Sequence, residues 1–193
     1  MHTLSIIADN FSLVLVSFLL VVGFGTLVFF FSRYRRCPSD KILVIYGKNV
    51  GDGKSFKCIH RGAAFVWPIL QAYQYLDLTP IPIDIKLEGV PSRQKIRVNM
   101  PATVTIGIST KAGVMQNAAK CMLGMDLNQI RLIGQEIISG QMRVVVASMD
   151  IETLNSDRDL LIEKIVAGAG MELAKVGLRL ININIQNITW DSN

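Results

Sequence analysis

Gly47 to Ser55 reads G-K-N-V-G-D-G-K-S, the glycine, lysine and hydroxyl types from which phosphate-binding loops are made. Such a loop needs a glycine five residues before its Gly-Lys pair and a helix N-terminus behind it to offer N–H groups to phosphate. Here that position is Lys48, and Phe56 to His60 has no helical pattern. A solvated hairpin turn around Asp52-Gly53 accounts for the segment better. Cys58 and His60 stand two apart, on one face of a strand, as a thiol and imidazole would have to for nucleophilic chemistry. The only other histidine is His2, so a triad or a multi-histidine metal site would depend on one imidazole with no third group to orient it. Cys37, Cys58 and Cys121 are odd in number and lack zinc or disulfide spacing. Asp150, Glu152, Asp157 and Asp159 cluster, but helix capping and a solvated loop explain them without acid-base work. The expectation is a protein without catalysis, cofactor, metal or small-molecule substrate.

The remaining reactive and basic residues point to a lipid surface. Arg33, Arg35 and Arg36 lie together, where each arginine gains about 1 kcal/mol from anionic headgroups. Cys37 follows them, a position where a thiol can be acylated in hosts with that machinery, although an unmodified thiol is the plainer reading. Ala63 to Leu70 is uncharged and contains Phe65 and Trp67, which suit either a buried strand or residues dipping into headgroups. The net charge of +5 otherwise comes from basic residues scattered among acidic ones, without the run or aromatic interleaving of a nucleic-acid track.

What must position these residues is a span. From Phe11 to Ser32 no side chain is charged. Phe11, Leu13, Val14 and Leu15 open the segment, Phe18, Leu19, Leu20, Val21, Val22 and Phe24 fill its middle, and Leu27, Val28, Phe29, Phe30 and Phe31 close it. As a helix it reaches about 33 Å, against a hydrocarbon core of roughly 30 Å. A cleaved signal peptide has a basic start and a shorter apolar run; here Asp9 precedes the run and the arginines follow it. The positive-inside bias then places residues 1–10 outside, 11–32 in the bilayer, and the basic segment 33–40 and the domain 41–193 on the cytoplasmic side of the cell's inner membrane.

The domain reads as α+β. Ile42 to Tyr46, Cys58 to His60 and Phe65 to Trp67 are short strand candidates. Ile81, Ile83, Ile85 and Leu87 alternate with polar residues and proline, as do Ile96, Val98, Met100, Ala102, Val104, Ile106 and Ile108. Their prolines, Pro82 and Pro101, predict edge strands or bulges. Helices are expected over Ala112–Leu123 and Asp126–Ser148, the second burying Ile130, Ile133, Gly134, Ile137, Ile138, Val144 and Val145. A third begins after an N-cap at Ser156, carries the stripe Ile162, Ile165, Val166, Ala169, Leu173 and Val176, and stops at Gly177. One last strand spans Leu178 to Trp190, with Ile181, Ile183 and Ile185 inward.

Several long stretches together resemble the flotillins of the SPFH (Band 7) superfamily: Arg36 to Gly47 (R-C-P-S-D-K-I-L-V-I-Y-G), Gly62 to Pro68 (G-A-A-F-V-W-P), Leu76 to Ile81, Gly107 to Ala119, Gly140 to Ile151 and Gly177 to Ile188. The resemblance implies an SPFH domain of short, largely antiparallel strands and amphipathic helices lying on the membrane. It implies a large homo-oligomer that organises lipid and protein microdomains, with an NfeD-type membrane protein as companion. A second reading from the same superfamily is a regulatory subunit that cages a membrane protease. Flotillins continue into a Glu/Ala-rich coiled coil, whereas this chain stops at Asn193.

Overall fold

The computed structural model describes residues 2–32, 34–47, 56–66 and 70–190, with side chains from Leu15 onward. Arg33, Trp67, the loop of Asp52-Gly53 and the side chains of Phe11, Leu13 and Val14 lie outside the described residues. Helix α1 (His2–Ser32) covers the expected span and begins well ahead of it, so residues before Phe11 continue the same helix. Three antiparallel strands follow, β1 (Tyr34–Gly47), β2 (Phe56–Phe65) and β3 (Gln71–Asp77), in the order β2-β1-β3. The second sheet places β4 (Ile81–Pro91), β5 (Arg97–Ile108) and β6 (Leu178–Ile185) side by side, with β7 (Thr189–Trp190) also paired to β5. Between β5 and β6 run the helices α2 (Val114–Met122), α3 (Leu127–Ser148), α4 (Ile151–Ser156) and α5 (Arg158–Val176). The fold is the expected α+β arrangement of an apolar helix followed by antiparallel sheets and helices.

One large core joins the helices to both sheets. Ile83, Ile85, Val104 and Ile106 from the second sheet meet Ile138 and Met142 of α3 and Ile165 and Leu173 of α5. Gly134 lets α3 come close: a Cβ there would stand 2.4 Å from Ile106 Cδ1 and 3.2 Å from Ile83 Cδ1. Asp126 caps α3 through a reciprocal box, its carboxylate accepting from Gln129 N at 2.7 Å while the Gln129 side chain accepts from Asp126 N at 3.1 Å. Gly177 ends α5 in the left-handed conformation, φ 92°, packed so tightly that a Cβ would fall 2.1 Å from Ala118 N.

The structure corrects several expectations. Pro101 sits on β5, an interior strand, at the point where the ladder on one side is interrupted. Its carbonyl accepts from Gln186 N at 2.9 Å, so its nitrogen faces the same side, where pairing passes from β6 to β7 and no donor is required. Pro82 lies on β4, an edge strand as expected. The last strand is two: β6 ends at Ile185, and Gln186–Ile188 separate it from β7. A register shift lets Ile181 bulge from β6, leaving it 42% exposed with its Cδ1 over Gly107, against its expected inward position. On α3, Val144 is 62% exposed, because six residues beyond Ile138 a helix has turned away; Met142, Val145 and Val146 hold the buried face. On α5 the stripe rotates likewise, burying Leu161 and exposing Val166. The N-cap of α5 is Asp157, accepting from Leu160 N at 3.0 Å, while Ser156 closes α4 by donating to Glu152 O at 2.7 Å. Residues expected as a solvated loop thus form α4, and Asp150 at its start takes a two-pronged ion pair from Arg93, Nε to Oδ1 at 2.8 Å and Nη2 to Oδ2.

Candidate membrane-facing site

Leu15–Ser32 has a mean hydropathy of 2.4, and 0% of it is buried against the rest of the molecule. An all-round apolar helix is stable either inside a core or inside lipid, and the first environment is not provided here. Phe31, for example, is 76% exposed. By length and composition this is a helix able to cross a membrane.

The strand that follows is bent. Ile42–Tyr46 of β1 pairs with Phe56–His60, and Tyr34–Cys37 pairs with Gly62–Phe65, with a register shift between the two stretches. On β2 the irregularity falls at Arg61 and Gly62, with φ of 63° and 129°. The bend folds the outer arm, Tyr34–Cys37 with Gly62–Phe65, over the face of the sheet that points away from the main core. There Cys37, Leu43, Ile45 and Val66 make a second, small cluster, joined by Ile59, Ala64 and Tyr75. Ile42 and Val44, alternating with them, belong to the large core, so β1 is buried on both faces.

Aromatic contacts tie this arm to its surroundings. Phe30 near the end of α1 stacks on Phe65 of β2, centroids 5.9 Å apart and planes 28° from parallel. Tyr73 and Tyr75 of β3 meet edge to face at 5.8 Å. The Arg35 guanidinium lies 5.2 Å from the Tyr73 ring centroid, and Tyr75 Oη donates to Arg36 O at 3.4 Å. Arg35 and Arg36 are exposed and have no carboxylate partner among the described residues. Of the uncharged stretch Ala63 to Leu70, Val66 is buried while Phe65 and Leu70 are exposed, so its described residues divide between small core and surface.

Cys37 is 8% exposed, and its thiol donates to Lys41 O at 3.1 Å and lies within 3.5 Å of Ile59 O and Pro38 O. Enclosed in this way, the sulfur presents little surface to solvent. Cys58 and His60 do share a strand face, but that face is the core side, opposite Val44 and Ile42. Burial pushes the Cys58 thiol up to about 11, which keeps it protonated and a poor nucleophile near neutrality. His60 Nδ1 is buried without a hydrogen-bond partner among the described residues. Among the described residues no three His, Cys, Asp or Glu side chains gather as metal ligands. At the end of β3, Asp77 accepts from Thr79 N at 2.9 Å and Thr79 Oγ1 at 2.5 Å, bonds that lower its pKa and fix the passage between the sheets.

The sequence reading missed Tyr73, Tyr75 and the pairing of Phe30 with Phe65. The Y-x-Y spacing of Tyr73 and Tyr75 puts both rings on one strand face and was a usable signal; the ring stack across the bend was not.

Residues 35–193 match the model of the SPFH domain / Band 7 family. The flotillin-like protein FloT of Bacillus subtilis is 25% identical over 181 residues, covering 90% of this chain and 35% of that protein. Flotillin-1 of Carassius auratus is 25% identical over 137 residues, 70% of this chain and 32% of its own length. Flotillin-1 of Homo sapiens is 25% identical over 133 residues, 68% and 31% respectively. The chain therefore spans about a third of the length of these relatives.

Proposed function

Because the chain belongs to the SPFH domain / Band 7 family, we propose that it is a membrane-anchored, flotillin-like scaffold whose task is to self-associate on the cytoplasmic face and organise lipid and protein around it. The observation that carries this reading is the unburied apolar stretch Leu15–Ser32 of α1, which the first strand of the domain follows in sequence after Arg33. Residues 11–32 cross the inner membrane once, residues 1–10 lie outside, and residues 33–40 form the basic collar before the domain at 41–193. Arg33, Arg35 and Arg36 set this orientation and meet anionic headgroups, since cytoplasmic loops carry the excess of arginine and lysine. Phe65 and Trp67 reach the headgroup layer beside them. Lateral contact between domains gives the homo-oligomer, with an NfeD-type membrane protein as companion.

Alkaline carbonate washing tests the anchor. The full chain is expected in the membrane pellet, and its release into the supernatant overturns integral insertion. Protease protection in sealed vesicles tests the side: cleavage within Lys41–Trp190 only when the cytoplasmic face is accessible supports the reading. Crosslinking in the same vesicles that recovers single copies alone would sink the scaffold.

A further inference from the structure

Arg35 and Arg36 both follow the span, but they are not held alike. Arg35 Cζ lies over the Tyr73 ring, 5.2 Å from its centroid and within the roughly 6 Å at which a ring attracts a cation. Tyr73 is itself braced edge to face by Tyr75 at 5.8 Å, and the Tyr75 hydroxyl reaches the backbone of the arm at Arg36 O. Arg36, next along β1, belongs to the opposite strand face and has no ring beneath it among the described residues. A cation held over a ring needs no carboxylate, and a guanidinium carries five N–H donors with which to meet an anion. Arg35 has no carboxylate among the described residues to occupy them. Three residues beyond Ser32, Arg35 lies at most about 10 Å along an extended chain from the end of α1, within reach of the headgroup layer. Tyr34 and Phe65, both exposed, stand beside it on the paired arm.

Resting on the membrane anchoring proposed above, we propose that Tyr73 on β3 is a positioning residue that turns Arg35 into a fixed binding site for one anionic lipid headgroup, with Tyr75 as its brace. A free arginine near a bilayer is a diffuse charge. One held on a ring presents a planar donor edge that matches the phosphate and carboxylate oxygens of an anionic glycerophospholipid. Headgroup choice then belongs to the folded domain and not to the span, although β3 lies far along the sequence from the last residue of α1.

The test uses the full chain in vesicles mixing phosphatidylcholine with phosphatidylserine, each in a photoreactive form with the same acyl chain, and mass spectrometry of adducts on the Tyr34–Arg36 peptide. The wild-type chain is expected to capture phosphatidylserine about fivefold over its share of the bilayer, the ratio equivalent to one well-placed arginine. Arg35→Gln and Tyr73→Ala should both bring the ratio close to one, Tyr73→Phe should keep it, and Arg36→Gln should lower it less than Tyr73→Ala. An unchanged ratio in Tyr73→Ala, or a loss in Tyr73→Phe equal to that in Tyr73→Ala, overturns the role of the ring. Tyr73→Phe preserves packing, so misfolding does not imitate its result. Carbonate washing of the same samples separates the two readings: wild-type protein in the pellet with a ratio of one defeats this inference alone, whereas wild-type protein in the supernatant defeats the anchor.

Discussion

The two sheets of this molecule are built to different standards. The second, β4 to β7, lies against α3 and α5, and its helices end in a reciprocal cap at Asp126, a carboxylate cap at Asp157 and a left-handed glycine at Gly177. The first, β1 to β3, gives one face to the same core, but its other face is closed only by its own bent arm over Cys37, Leu43, Ile45 and Val66. Residues that read as anchor or headgroup contact gather on the thin side, and the capped helices on the thick one. Stability and interaction surface are divided between the sheets. Under the proposed anchoring, the half that meets lipid is the half that can open at lower cost.

Truncating each core gives the largest expected effect. Leu161 and Leu43 are both fully buried, so area alone predicts equal losses. We expect Leu161→Ala to cost about 3–5 kcal/mol of global stability and Leu43→Ala about 2 kcal/mol, since a shallow cluster collapses more readily around a cavity. Denaturant unfolding with hydrogen exchange checks this: Leu43→Ala should loosen β1 to β3 while β4 to β6 keep their protection. Equal losses with uniform exchange would remove the distinction between the sheets.

Gly177→Ala comes next, at about 1–3 kcal/mol for backbone strain alone before its collision with Ala118 is added. Calorimetry should show a lower Tm for the whole domain. Asp157→Ala should cost about 1 kcal/mol through the lost cap. Arg93→Ala, which breaks an ion pair whose arginine is 66% exposed, should cost well under about 1 kcal/mol. If the ion pair outweighs the cap, α4 matters more to the thick side than its length suggests.

The thiols give the smallest and most local readout. Cys121 is exposed, Cys58 half-buried and Cys37 buried. Alkylation of the folded chain near neutral pH should therefore begin at Cys121. Cys58 should gain reactivity only as pH climbs toward about 11, because burial raises its pKa from 9.0. The sign for stability follows: the protonated, buried thiol contributes fully below about 9, and that contribution is lost as pH rises through about 11. Fast labelling of Cys37 near neutrality would mean that the arm is open in solution.

Periodicity made most of the thick side legible. The alternation in Ile81–Leu87 and Val98–Ile108, the extents of α2 and α3, and the stop at Gly177 all follow from local pattern and hold in the structure. What periodicity could not supply was phase over distance. Val144, Val166 and Ile181 are apolar residues that a repeat assigns inward, and a helix turn or one bulged residue sends them out. Pro101 fails a rule framed for whole strands, because the ladder changes partner just where its missing N–H would have been used. At the membrane-facing site the span and arginines were visible as composition. The ring contacts were not, since Phe30 with Phe65 and Arg35 with Tyr73 meet only after β1 bends back.

Phe30 near the end of α1, stacked on Phe65 of β2, ties the rod to the head. Under the proposed anchoring, a helix that leans to match a thinner bilayer carries the head with it. Copies standing in membrane of one thickness would then share one inclination, and the bilayer's own dimension would decide which neighbours can align.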